Sequence, residues 1–89
     1  MQVTPTPTAE IAIRSLDLPD MRRVHAWLHH LENWGNDPHT MKISKKFPDS
    51  DLYVLKTSSD LNIYFTLDEA AKHITVVDIA KPSVLETRV

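Results

Sequence analysis

Two sets of side chains in this 89-residue sequence are of types that do chemistry. The first is Tyr53, Asn62, Tyr64 and Asp78. They fall on three consecutive extended segments, at positions that place them on one side of a sheet. Two tyrosines on such a surface can stack on unpaired bases. They can equally be half-buried cross-strand packing. The second set is Lys42, Lys45 and Lys46, the densest basic run in the chain. Such a run can hold phosphates, and each phosphate neutralised would make binding salt-dependent. It can also be an ordinary solvated loop. A third spacing, His25 and His29, is the four-residue interval that chelates zinc from one helix face. Ala26 stands where the helical zinc motif carries glutamate, and Arg22 and Glu32 lie close by. A solvated helix flank with local ion pairs is the expectation there, and no metal site is assigned.

The elements that must position these groups follow from periodicity. Leu52–Lys56, Leu61–Leu67 and His73–Ile79 read as strands. The connections between them, Thr57–Asp60 and Asp68–Lys72, are too short for a parallel crossover, which needs about a dozen residues, so antiparallel hairpins are expected. Pairing Lys56 with Leu61 and Leu67 with His73 gives two distinct faces. One carries Leu52, Val54, Leu61, Ile63, Phe65, Leu67, Val77 and Ile79 and should take a helix. The other carries Tyr53, Leu55, Asn62, Tyr64, Thr66, Ile74, Val76 and Asp78. A slip of one residue exchanges the faces.

That helix is Pro19–Trp34. Asp17 is its expected N-cap, and Pro19 and Asp20 suit the first turn. Met21, Val24, Trp27, Leu28, Leu31 and Trp34 form one apolar arc. Gly35, the only glycine, is expected as a left-handed C-cap, and Pro38 stops the helix. Glu10–Ser15 alternates with Ile11 and Ile13 on one side and reads as a fourth strand beside His73–Ile79. Met1–Thr8, with Pro5 and Pro7, reads as a flexible or extended arm. Met41–Ser44 fits either a short strand or a turn. Lys81-Pro82-Ser83 is expected to end the sheet, and Val84–Val89 to be a helical turn or a tail.

The expected fold is therefore α+β: an antiparallel sheet of three to four strands with one main helix on one face. It forms a single domain over residues 9–89 behind the arm of residues 1–8. Ten basic against twelve acidic residues give a net charge of −2, a poor global field for a polyanion, so any nucleic-acid contact must use a local patch. No cysteine is present, which excludes disulfides and thiolate metal sites. No secretory leader or membrane span is evident, and a cytoplasmic setting is expected. One glycine cannot build a phosphate-cradling loop, and neither a nucleophile triad nor a carboxylate dyad is visible, so no cofactor is expected.

The segment DLYVLKTSSDLNIYFTLDEAAKHITVVDIAKPS, following a helix and a short basic connection, resembles the RelE/ParE superfamily of bacterial toxins. The likeness runs from about Leu18 to Ser83. It rests on a strand, a Ser-Ser-Asp turn, the IYF strand, an acidic turn and the final ITVVDI strand. The resemblance implies a toxin with a cognate antitoxin as partner. RelE-like members cut messenger RNA in the ribosomal A site, and ParE-like members inhibit DNA gyrase. In RelE-type nucleases the first hairpin strand offers two basic side chains, and the next strand an arginine. An ungapped match puts Tyr53 and Leu55 at the basic positions and Asn62 at the arginine. Lys81 matches a further basic residue, Pro82 stands at a catalytic arginine, and Arg88 at the terminal tyrosine. Most of the family's cationic set is thus absent. Cleavage requires activation of a ribose 2′-OH, stabilisation of a phosphorane-like charge and protonation of the leaving oxygen. The residues implied for that cleft are Tyr53, Asn62, Tyr64, Asp78 and Lys81, with Lys42, Lys45 and Lys46 binding RNA. A catalytically silent RelE-fold binding protein and a gyrase inhibitor are the alternatives.

Overall fold

A computed structural model describes residues 1–57 and 60–81. The chain runs β1 (Gln2–Pro5), α1 (Pro7–Arg14), α2 (Leu18–Glu32), a 3-10 turn (Trp34–Asn36), α3 (Pro38–Ile43), β2 (Ser44–Lys46), β3 (Leu52–Lys56), β4 (Asn62–Asp68) and β5 (His73–Ala80). The strands form one sheet in the order β1-β5-β4-β3-β2. The β2–β3, β3–β4 and β4–β5 pairs are antiparallel, and β1 joins β5 in parallel. The α+β architecture with a helix across an antiparallel sheet is as expected. Each edge carries one strand that the sequence reading did not contain.

The N-terminal expectations are corrected. Met1–Thr8 is not an arm: Gln2–Pro5 takes the place beside β5 that Glu10–Ser15 was expected to hold. Pro5 is tolerated because it ends an edge strand. Glu10–Ser15 lies in and just after helix α1 instead. Thr6 caps that helix, accepting from the Ala9 amide at 3.1 Å, and Pro7 fills a first-turn position that has no need of an N–H. Ala9 and Ile13, four apart, are buried, while Ile11 is 63% exposed. Helical spacing therefore wins over the Ile11/Ile13 alternation.

Helix α2 begins as expected, with Asp17 accepting from the Asp20 amide at 3.1 Å. Its end is corrected. Asn33 is the C-cap, and Gly35 lies in the 3-10 turn without a positive φ. Met41–Ser44 is mainly the end of α3, and β2 begins at Ser44.

The hairpin register differs by one residue from the expected one. Lys56 pairs with Asn62, Leu55 with Ile63 and Tyr53 with Phe65. The Leu61 carbonyl accepts from both the amide and the hydroxyl of Thr57, at 3.2 and 2.9 Å. That closes the hairpin one residue later than assumed and turns Tyr53 and Leu55 to the helix side. A bulge on β5 makes a second adjustment. Tyr64 faces Asp78 but Phe65 faces Val76, so Val77 is the extra residue. Ile74 and Val76 before the bulge, and Ile79 after it, consequently all point inward. Thr6 Oγ1 donates to the carbonyl of Val77 at 3.2 Å.

The resulting core joins Ala9, Ile13, Val24, Leu31 and Trp34 of the helical layer to Leu55, Leu61, Ile63, Phe65, Ile74, Val76 and Ile79. Each large side chain so buried contributes about 1.5–3 kcal/mol. Trp34 and Tyr53 both pack on Phe65, at ring separations of 5.6 and 5.2 Å. All of these residues lie on one side of the sheet. The other side carries Val54, Asn62, Tyr64, Thr66, Thr75 and Asp78, and no helix covers it among the described residues. Pro82, Ser83 and Val84–Val89 lie outside the described residues, as do Ser58 and Ser59.

Candidate nucleic-acid interface

The open sheet face holds three of the five residues expected in the cleft. Tyr64 and Asp78 are directly paired across β4 and β5. Asn62 is two residues from Tyr64 on the same side, and its Nδ2 reaches the Tyr64 hydroxyl at 3.5 Å, the outer limit of a hydrogen bond. Asp78 Oδ1 accepts from the Ile79 amide at 2.8 Å, which fixes the carboxylate against the strand.

Tyr53 and Lys81 are placed elsewhere. Tyr53 faces the helices, stacked on Phe65 with an interplanar angle of 9° and edge-on to Trp34. The late closure of the hairpin is the cause. Lys81 Nζ donates to Asp20 Oδ2 at 2.8 Å, and Arg23 holds the other oxygen at 2.9 Å. Asp20 is almost fully buried. The hydrogen bond from Lys81 is the main cause that lowers its pKa, opposed by burial, and Asp20 in turn raises that of Lys81. Lys81 thus ties the end of the sheet to the start of α2.

The basic run divides. Lys42 is exposed on α3. Lys45 and Lys46 lie on β2, an edge strand, paired with Val54 and Tyr53. Both line a groove of about 360 Å³ together with Phe47, Pro48, Val54, Lys56, Asn62 and Tyr64. Among the described residues, none of Lys45, Lys46 and Lys56 forms an ion pair. Their charge is therefore available to a ligand. Phe47 faces Tyr64 across this groove, with ring centroids 6.4 Å apart and planes inclined by 22°.

Lys56 and Phe47 were not among the candidates from sequence. The signal for Lys56 was the register: opposite Asn62, instead of Leu61, it shares the open face.

His25 and His29 are on the exposed side of α2, and His29 Nδ1 lies 3.2 Å from Glu32. Among the described residues no three His, Asp or Glu gather as metal ligands. His30 Nδ1 lies 3.0 Å from Asp37, which also caps α3 by accepting from Thr40. Those Thr40 contacts lead the causes that lower the Asp37 pKa. Among the described residues no helix is long and apolar enough to cross a membrane.

No family model matches the sequence, and no curated protein matches it. Solved structures do match the fold. The isolated RelE toxin of E. coli superposes with a TM-score of 0.72 at 14% identity, over 99% of this chain and 98% of that one. The RelBE2 toxin–antitoxin complex of Mycobacterium tuberculosis gives 0.70 at 10% identity, over 90% and 95%. The archaeal RelE–RelB complex of Pyrococcus horikoshii gives 0.64 at 19% identity, over 90% and 92%. These similarities span nearly the whole of each chain. The chain has the RelE fold.

Proposed function

We propose that this chain is the toxin of a type II toxin–antitoxin pair and acts on messenger RNA through the open sheet face. The observation that carries this reading is the convergence of Lys45 and Lys56 on one groove with Asn62 and Tyr64, beside the Tyr64–Asp78 pair, with Lys46 at its rim. The groove supplies a local cationic patch that the net charge of −2 does not. Chemically, Asp78 is the carboxylate able to take a proton from a ribose 2′-OH, and the Tyr64 hydroxyl is the group able to return one to the leaving oxygen. The lysines stabilise the charge that develops on phosphorus-bound oxygen. Tyr53 and Lys81 drop out of the cleft, since one is in the core and the other is held by Asp20.

The antitoxin partner and the ribosomal setting belong to the same proposal. RelE chains of this fold have been solved bound to RelB antitoxins, and an antitoxin segment would cover apolar surface here.

Inducing the chain in bacteria and mapping transcript ends tests the proposal. Growth arrest with cleaved transcripts is expected, relieved by co-expression of a cognate antitoxin. Tyr64→Phe should lower cleavage about 100-fold or more, the usual contribution of a general acid. Normal growth on induction would overturn the toxin reading. Arrest with intact transcripts and blocked supercoiling would instead indicate a gyrase inhibitor. RNA capture without cleavage would indicate a silent binding module.

A further inference from the structure

Tyr64 stands on the side of the sheet that no helix covers among the described residues. Its neighbours across the strands are Val54 on β3 and Asp78 on β5. Among the described residues one ring packs on it: Phe47, with centroids 6.4 Å apart and planes inclined by 22°. That separation is within the range of offset-stacked rings. At a carbon contact of about 3.5 Å it corresponds to a sideways displacement of about 5 Å, so the rings touch directly with nothing between them.

Phe47 is not part of the core and remains 39% exposed. The chain nevertheless fixes it closely. Its amide donates to the Leu52 carbonyl at 2.8 Å, and the Leu52 amide donates to Ser50 Oγ at 3.0 Å. Pro48 disfavours helical backbone at Phe47. Asp49 takes the left-handed conformation, at φ 56°, that lets the chain reverse. The hairpin tip 47–51 is thus held in one shape, with the Phe47 ring against Tyr64. At the far end of the tyrosine, Asn62 Nδ2 donates to the hydroxyl oxygen at 3.5 Å. A phenolic oxygen that accepts in this way keeps its own O–H free to donate elsewhere. Tyr64 is therefore restrained on its ring and at its hydroxyl, and its proton is left for a ligand in the groove that it lines with Lys45 and Lys56.

We infer that Phe47 is a positioning residue for Tyr64: by stacking on the ring it holds the hydroxyl where the leaving oxygen of the RNA is protonated. The inference rests on the reading of Tyr64 as general acid and adds the group that aims it. Proton transfer needs donor and acceptor within about 2.6–3.2 Å. A displacement of about 1 Å in such an arrangement costs about 100-fold in rate. A tyrosine on an uncovered sheet face can exchange between rotamers that move its hydroxyl much further than that. The Phe47 contact removes that freedom before substrate arrives.

The test is a double-mutant cycle on messenger RNA cleavage in a purified translation system. Phe47→Ala should lower kcat by roughly 10- to 100-fold with KM little changed. Phe47→Tyr, which keeps a ring, should restore most of the rate. In a Tyr64→Phe background no hydroxyl remains to be aimed, and the same Phe47→Ala change should cost no more than about 2-fold. Carbon-13-labelled tyrosine gives a second readout without turnover. The chain has two tyrosines, and Tyr53 is packed on Phe65 and Trp34. Phe47→Ala should move the Tyr64 ring signals and leave those of Tyr53 in place, which also reports an intact core. An equal loss of rate in both backgrounds, a loss confined to KM, or unmoved Tyr64 ring signals would overturn the positioning role and leave Tyr64 as general acid. Cleavage by Tyr64→Phe at the wild-type rate would overturn both.

Discussion

Asp20 shows how one side chain can serve local and long-range structure together. Its amide is capped by Asp17, and its carboxylate takes Arg23 from its own helix and Lys81 from the end of the sheet. An almost buried carboxylate with two cations is stabilising only while it is ionised. Its folded pKa lies below the ordinary 3.8, chiefly through the hydrogen bond from Lys81. The stabilisation is therefore present above the unfolded value and is lost as pH falls through the folded one. Lys81 is shifted upward from 10.5, so its share persists below that value and is lost only as pH rises past its folded pKa. Thermal melts of wild type and Asp20→Asn should differ by a constant amount between about pH 5 and 10, and converge in acid below about pH 4. A gap that persists unchanged into strong acid would contradict this assignment. Lys81, which the resemblance assigns to the cleft, has its charge engaged by Asp20 on α2.

At the scale of elements, Thr6 joins β1, α1 and β5. It caps α1, its amide bonds the Val76 carbonyl at 2.9 Å, and its hydroxyl bonds Val77 at the bulge. Thr6→Ala should cost about 1 kcal/mol from the lost cap alone, read from urea denaturation, and Thr6→Ser should recover most of it. Equal stability of the alanine variant would argue against the cap.

The same region marks where sequence reasoning stops. Helix α2 was legible because Asp17, Pro19 and the five apolar residues Met21, Val24, Trp27, Leu28 and Leu31 all point the same way. The three C-terminal strands were legible because their connections are too short for anything but hairpins. Two further features were not. The β3–β4 register depends on Thr57 binding the Leu61 carbonyl, a matter of one residue that no hydrophobic pattern distinguishes when Tyr53-Val54-Leu55 is apolar on both sides. Parallel β1 depends on contacts some 70 residues away, while the local signal of Pro5 and Pro7 argued against structure. Of the candidate site, Asn62, Tyr64 and Asp78 were placed on the correct face because β4 alternates cleanly and the bulge restores the parity of β5. Tyr53 was lost and Lys56 missed through the same slip.

Across the whole molecule, the helices are gathered on one side of the sheet and the described part of the other side is left to polar groups and lysines. That division gives the RelE fold here a basic, aromatic-lined groove, although acidic residues outnumber basic ones overall. Lys45 and Lys46 meet Lys56 at one groove only because β2 pairs antiparallel with β3, about ten residues further along the chain. The most direct test of this account is a backbone NMR titration with short single-stranded RNA. Amide shifts should concentrate at residues 44–48, 54–56, 62–64 and 78, and should shrink as salt is raised. Shifts concentrated on α1 and the exposed side of α2, with those strands unmoved, would contradict it.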